Sequence, residues 1–393
     1  MYLDFSYYTP TKVVFGRNAE AGIGRLVQAQ QCKKVLIHYG GNSAVRSGLL
    51  GRIEASLKEA GIQYVALGGV VPNPRLSLVY KGIELCKAEG VDFILAVGGG
   101  STIDSSKAIA YGVANPGDVW DFYEHTRKAT ACLPVGVVLT IAAAGSEMSN
   151  GSVITNEDGW RKRAYDSNLA RPKFAVMNPE LTMTLPAYQT ASGAVDIMMH
   201  TMERYFNLSP NMELTDTISE GLLRTVMKYT KILMQEPDSY EARAEIMWAG
   251  SLAHNGLTGC GTGGGDWSCH NMEHEVGGLF DVAHGAGLAA LWGSWARYVY
   301  KAAPHRFKKF AIKVMGIQPG QDQQETILQG IRAMEDFYRS VGMPTNLTEL
   351  GVSPTDEQIE HMANSCADAC GGPCGCVVAL HPEDMVKIYR MAR

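Results

Sequence analysis

Residues 91–112 read VDFILAVGGGSTIDSSKAIAYG. An apolar run of strand length, Val91–Val97, passes straight into Gly98, Gly99 and Gly100; Ser101 and Thr102 then open a stretch with a helical pattern. A strand that enters glycines and then a helix N-terminus makes a cradle for an anion. The glycines let backbone N–H groups approach a pyrophosphate, and the helix dipole favours its charge. The spacing is not GxGxxG, so in isolation the turn reads equally well as a structural one. Its surroundings decide.

On the N-terminal side, strand-like runs alternate with amphipathic stretches: KKVLIHYG (33–40), a helix from Leu49 to Ala60, IQYVALGG (62–69) and a helix from Leu76 to Glu89. On the C-terminal side LPVGVVLT (133–140) and KFAVMN (173–178) suit further strands. Such alternation predicts βαβ units and a parallel sheet. From Pro186 onward the chain reads as helix rich in Ala, Met, Leu and Glu, broken at Pro210, Pro237, the Gly261–Gly265 patch, Pro319, Pro344 and Pro354. The expected organisation is an α/β dinucleotide-binding domain over 1–185 and an all-α domain over 186–393.

With 393 residues and 46% hydrophobic content, each half is long enough to bury a core. A net charge of −5 and the lack of a Lys/Arg run exclude nucleic acid as a partner. MYLDFSYYTPTKVVFG lacks the basic start and apolar centre of a signal peptide, and no apolar run is long enough to span a bilayer, so a cytoplasmic protein without a membrane is expected. Of nine cysteines, Cys366, Cys370, Cys374 and Cys376 cluster in CADACGGPCGC. That spacing matches neither paired CxxC hooks nor a ferredoxin run, and reduced thiols are the plainer reading.

A second turn, HYGGNSAVRSG (38–48), follows the first clear strand and offers Gly40, Gly41 and Ser43. In many dinucleotide sites an acidic residue here grips the ribose 2′-OH. None is present, which leaves room for a 2′-phosphate and favours NADP(H) over NAD(H).

In GAVDIMMHTMERYF (193–206), Asp196 and His200 stand four apart on one helical face. By itself the pair is as consistent with ordinary surface residues as with ligands. In CHNMEHEVGGLFDVAHG, however, His270, His274 and His284 place three of the chain's ten histidines within fifteen residues. A carboxylate and several imidazoles suit Zn(II) or Fe(II) and not Ca(II) or Mg(II).

At these residues the sequence resembles the iron-containing (group III) alcohol dehydrogenase family, in particular its butanol dehydrogenase and aldehyde reductase branch. The resemblance runs through GGGSTIDSSKAIA, TIAAAGSEMS (140–149), MNPELTMTLP (177–186), VDIMMHTMERY, the His270–His284 block and VGMPTNLTELGV (341–352). It implies an N-terminal Rossmann-like domain, a helical C-terminal domain with a cleft between them, and a homodimer. It implies that Asp196, His200, His270 and His284 bind the metal, and that His274 lies near without binding and serves catalysis. For the cofactor it implies Gly40, Gly41, Ser43, Gly98, Gly99, Gly100, Ser101, Thr102, Asp104, Thr140 and Leu181, with Lys162 aligned to a lysine near the cofactor in the aldehyde reductases. Asn42 stands where that branch commonly has glycine.

The implied activity is oxidation of small to medium primary alcohols, or reduction of the aldehydes, with Trp267 and Met198 as candidate apolar walls. One rival is a metal-dependent lyase or cyclase on the dehydroquinate-synthase-like fold. Such enzymes bind polyanions and need cleft Lys/Arg, of which there are none between His270 and His284. The other is a non-catalytic binding protein, whose signature would be loss of one of the presumed ligands.

Overall fold

A computed structural model describes residues 4–209 and 212–393 of the chain; the helix break expected at Pro210 lies outside them. The chain divides into a unit of Thr9–Thr184 and a unit of Leu185–Arg393 joined by the segment up to Tyr8.

The first unit holds eight strands: β1 (Lys12–Phe15), β2 (Lys34–Tyr39), β3 (Gln63–Leu67), β4 (Phe93–Gly98), β5 (Val135–Leu139), β6 (Gly151–Asn156), β7 (Arg161–Asp166) and β8 (Phe174–Met177). Its helices are α1 (Ile23–Gln28), α2 (Ser43–Arg46), α3 (Leu49–Glu59), α4 (Leu76–Glu89), α5 (Gly100–Ala114) and α6 (Trp120–Tyr123). Six strands form a parallel sheet in the order β1-β8-β5-β4-β2-β3.

All six residues of β4 are buried. Successive side chains point to opposite faces, so Ile94 joins one apolar cluster with Leu36 and Ile109, while Phe93, Leu95 and Val97 join the other with Val35, Ile37 and Ile53. A central parallel strand covered on both faces reads as a continuous apolar run, which is why VDFILAV identified it. The sheet grows from β2 outward to β3 and then, with β4, on the other side of β2. The strand order therefore reverses between β2 and β4, where open α/β sheets place their ligands beyond the strands' carboxyl ends.

Two elements had escaped the sequence reading. β1 is an edge strand of four residues whose only partner among the described residues is β8, more than 150 residues away. The β6–β7 hairpin packs on α5: Val153 N–H donates to Asp104 Oδ2 at 3.0 Å and Ser152 Oγ to the Asp104 carbonyl at 2.9 Å. Its Asp158-Gly159 turn was the available signal.

Buried Lys107 on α5 secures the loop after β5. Its Nζ donates to the Ser146, Ser149 and Gly151 carbonyls at 2.8, 3.1 and 2.7 Å, and to both serine hydroxyls. The serines of TIAAAGSEMS thus have a structural use.

The second unit is helical: α7 (Ala187–Tyr205), α8 (Glu213–Gln235), α9 (Tyr240–His254), α10 (Ser268–Phe280), α11 (His284–Val299), α12 (Pro304–Lys313), α13 (Gln323–Ser340), α14 (Asp356–Cys370) and α15 (Pro382–Ala392). Sixteen of the nineteen residues of α7 are buried, including every position from Thr190 to Tyr205. A helix buried nearly all round is one that other helices enclose, and the polar groups on it must then find partners. No helix among the described residues is long and apolar enough to cross a membrane.

Candidate active site

In the helical unit, α7 carries Asp196, His200 and Glu203 on one face, α10 carries His270, Glu273 and His274, and α11 begins at His284. Missing side chains let α11 start so close to its neighbours. A Cβ on Gly285 would run into the Ser192 carbonyl oxygen of α7, and one on Gly287 would lie 2.8 Å from Glu273 Oε1. Glycine at both positions seats His284 beside Asp196.

Asp196 Oδ1 is the centre of the cluster. It lies 3.3 Å from His200 Nδ1, 3.7 Å from His270 Nε2 and 3.7 Å from His284 Nε2. Donor atoms that share one ion at bonds of ~2.0–2.1 Å in tetrahedral geometry stand about 3.3–3.5 Å apart, so the spacing suits an ion. Asp196, His270 and His284 have ligand atoms mutually within 4.8 Å. His200 flanks them, its ring 4.7 Å from that of His270.

The polar atoms themselves supply the test of fit. Asp196 Oδ1, His200 Nδ1 and His270 Nε2 are buried and, among the described residues, have no hydrogen-bond partner. Three such atoms converging would each cost about 1–3 kcal/mol if left so, and a divalent cation satisfies them together.

Two carboxylates fix the imidazoles. Glu203 Oε1 accepts from His270 Nδ1 at 2.8 Å and from the His270 backbone N–H at 2.9 Å, while its Oε2 accepts from the Trp267 N–H at 2.8 Å. Glu273 Oε2 accepts from His284 Nδ1. With Nδ1 held by a carboxylate in both rings, Nε2 is the nitrogen that faces Asp196, and a bound cation would take the place of any proton on it.

Electrostatics favour a cation here. Burial alone would raise the Asp196 pKa, but His200, His284 and His270 hold it well below the usual carboxylate range. Burial together with His254 keeps His200 neutral. For His270 burial opposes charge, yet Asp196 and Glu203 outweigh it and push the pKa up to about 9.

One side of the cluster stays open. The His284 side chain is 26% exposed, and half-buried His274 lies beside it with ring centroids 5.6 Å apart. Half-buried Trp267, at 5.3 Å from the His270 ring, covers another side, whereas Met198 is fully buried in the core. The sequence reading had missed Glu203, Glu273 and His254, whose ring lies 3.9 Å from that of His200. Glu203 follows Asp196 by seven residues and Glu273 follows His270 by three, spacings that put Glu203 on the Asp196 face of α7 and Glu273 on the His270 face of α10.

In the α/β unit the two glycine turns meet at the strand-order reversal. A Cβ on Gly98 would collide with the Thr102 side chain, and one on Gly40 would stand 3.7 Å from Thr102 Oγ1. Cβ atoms on Gly99 and Gly100 would lie 2.9 Å from Ile141 Cβ and 2.8 Å from Ala144 Cβ. Thr140 N–H donates to the Gly98 carbonyl at 3.1 Å, so the loop after β5 forms a wall of this turn. Ser101 is half-buried in the first turn of α5, and Gly41 and Ser43 are exposed beyond β2.

The remaining candidates lie further along the unit. Asp104 uses its carboxylate on Ser146 Oγ at 2.6 Å and on the Val153 amide. Lys162 is buried on β7, opposite Thr155. Leu181, in the 3-10 turn Pro179–Thr182, packs against the apolar cluster beneath β2 and β4.

Residues 10–179 match the family described as iron-containing alcohol dehydrogenase, and residues 190–393 match the Fe-containing alcohol dehydrogenase family, C-terminal. The chain is 42% identical over 389 residues to NADH-dependent butanol dehydrogenase A of Clostridium acetobutylicum, covering 99% of both chains. It is 35% identical over 356 residues to the NADPH-dependent aldehyde reductase YqhD of Escherichia coli, covering 89% of each. Among solved structures it superposes on NADH-dependent butanol dehydrogenase A of Thermotoga maritima with a TM-score of 0.96 and 38% identity, over 100% of this chain and 99% of that one.

Proposed function

The chain belongs to the iron-containing alcohol dehydrogenase family, and from that premise we propose that it is a metal-dependent, NAD(P)-linked alcohol dehydrogenase, working as an aldehyde reductase in the other direction. The observation that carries this reading is the buried cluster around Asp196 Oδ1, whose unpartnered atoms point at one another. Asp196, His200, His270 and His284 are the residues that would hold the metal. Four protein donors with an exposed edge suit Fe(II), which accepts further ligands readily, and Zn(II), which accepts a fifth.

A divalent cation held there lowers the O–H pKa of an alcohol and polarises the carbonyl of an aldehyde, and the nicotinamide supplies or takes up the hydride. The chain's own residues do the rest. Glu203 and Glu273 keep the Nδ1 protons of His270 and His284, so neither imidazole turns its N–H toward the substrate. Trp267 supplies an apolar wall. His274, on the open side, moves the proton between the substrate oxygen and solvent.

The turns at Gly40–Ser43 and Gly98–Thr102 would take the dinucleotide, with the α5 N-terminus at the pyrophosphate. The absence of a carboxylate after β2 supports NADP(H) over NAD(H). Relatives at 37–42% identity are named NADH-dependent, and those named for NADPH or NADP stand at 35% and 29%. Small to medium primary aldehydes are the substrate class.

The test is oxidation of NADPH and of NADH, followed by absorbance, with a series of straight-chain aldehydes. Turnover with net loss of reduced cofactor, and a higher kcat/KM with NADPH, is the expected result. No net loss with any aldehyde would favour the lyase reading, and a higher kcat/KM with NADH would reverse the cofactor assignment.

A further inference from the structure

The thiol cluster in CADACGGPCGC takes no part in the chemistry above. Cys366 and Cys370 lie one turn apart on α14, and the chain then turns back through Gly371 and Gly372, at φ 70° and 137°, to bring Cys374 beside them. The three sulfurs lie within 4.8 Å of one another, and Cys370 Sγ is 2.6 Å from Cys374 Sγ. Asn271 Nδ2 on α10 donates to Cys374 Sγ at 3.2 Å. Asp266 Oδ2 accepts from the Cys376 and Val377 amides at 2.8 and 2.7 Å, which ties the loop down just ahead of α10.

Two chemistries suit three clustered thiols, a soft metal and a disulfide, and the distances separate them. Two thiolates on one zinc, at ~2.3 Å per bond, stand about 3.8 Å apart. A disulfide needs ~2.05 Å. The Cys370 and Cys374 thiols are free and stand 2.6 Å apart, closer than two sulfurs that share an ion, and among the described residues no fourth His, Cys, Asp or Glu ligand atom joins the three sulfurs.

We propose that Cys370 and Cys374 form a redox-modification site, which a peroxide closes to a disulfide across the Gly371-Gly372-Pro373 turn and which a dithiol reopens. Accessibility assigns the order of events: Cys370 is half-buried, while Cys374 is 3% exposed. The Cys370 thiolate attacks one oxygen of hydrogen peroxide and the O–O bond breaks. This leaves a sulfenic acid on Cys370 and, after protonation, one water. Cys374 then attacks that sulfur, the S–S bond forms, and hydroxide leaves to take up the Cys374 proton as a second water. Two thiols lose two electrons and two protons, and one peroxide becomes two waters.

A hydrogen bond with Cys366 favours the Cys374 thiolate, but Cys370 and burial together outweigh it and hold the thiol up. Cys366 is buried against both sulfurs and is the third thiol.

The test uses the metal-loaded enzyme, fully reduced and then treated with dilute hydrogen peroxide. Peptide mass mapping should show one link, Cys370 to Cys374, with two hydrogens lost, two titratable thiols gone, and full reversal by dithiothreitol. Cys370→Ser and Cys374→Ser should each abolish the link, and Cys132→Ser should leave it. A link through Cys366, or oxidation to sulfinic acid without any link, would overturn the assignment. So would a second equivalent of zinc in the untreated protein that Cys366→Ser loses. Circular dichroism of each variant separates loss of the link from loss of the fold.

Discussion

Glu203 Oε1 accepts two hydrogen bonds from His270, one from its ring Nδ1 at 2.8 Å and one from its backbone N–H at 2.9 Å. One buried carboxylate oxygen thus sets both the start of α10 and the tautomer of the imidazole that α10 carries. Glu203→Ala should weaken metal affinity by roughly 10–100-fold, the usual effect of removing a carboxylate behind a ligating histidine. Competition against a chelator of known affinity measures it. Unchanged affinity would show that the His270 ring needs no such support.

Gly285→Ala addresses helix approach instead of ligand chemistry. The added Cβ must displace α11 from the Ser192 carbonyl, taking His284 away from Asp196. We expect lower metal occupancy than in the parent while the far-ultraviolet helical signal is kept. Full occupancy by metal analysis would mean that α11 can shift without cost to the site.

His274→Ala separates a role in proton transfer from a role in holding the metal. His274→Ala should retain the metal and lower kcat by ~10²-fold with an altered pH profile, as removal of a proton-transfer group does. Metal content and steady-state rates on one preparation decide. A metal-depleted His274→Ala protein would make that residue a ligand.

Away from the metal, His38 predicts a pH dependence of stability. It is buried on β2, donates from Nδ1 to the Leu67 carbonyl at 2.8 Å, and accepts at Nε2 from Ser105 Oγ at 2.8 Å. Burial lowers its pKa from 6.5 to about 4. Between those values the unfolded chain binds the proton and the folded one does not. Stability is therefore present above pH 6.5 and falls as the pH drops toward 4, by at most ~1.4 kcal/mol per pH unit from this group. The thermal midpoint of the parent should fall more steeply over that range than that of His38→Gln. Parallel profiles would remove His38 from the account.

How much of this could be read from sequence depended on whether the signal was local. β4 and its glycine turn were legible because a fully buried strand is apolar at every position and the turn follows it without a gap. The Asp196/His200 pair was legible as an i,i+4 spacing. Glu203 shares that face, but a lone helical glutamate is ordinarily solvent-exposed, and only the fold shows it buried at 1% exposure with His270 as its partner. The placement of His284 depends on α11 meeting α7 at Gly285, a contact about ninety residues long in sequence that no local pattern encodes. β1 escaped for a like reason, since its partner is β8 and its own four residues form an exposed edge.

The most direct test of the central claim sets metal content against turnover in a single preparation. The parent enzyme, stripped with a chelator, should lose NAD(P)H-dependent aldehyde reduction and regain it on addition of Fe(II) or Zn(II). His270→Ala should bind little metal and stay inactive under the same reloading, with its fold intact by circular dichroism. Full turnover by metal-free parent enzyme, or by metal-free His270→Ala, would contradict the claim that the Asp196-centred cluster holds a metal the reaction requires.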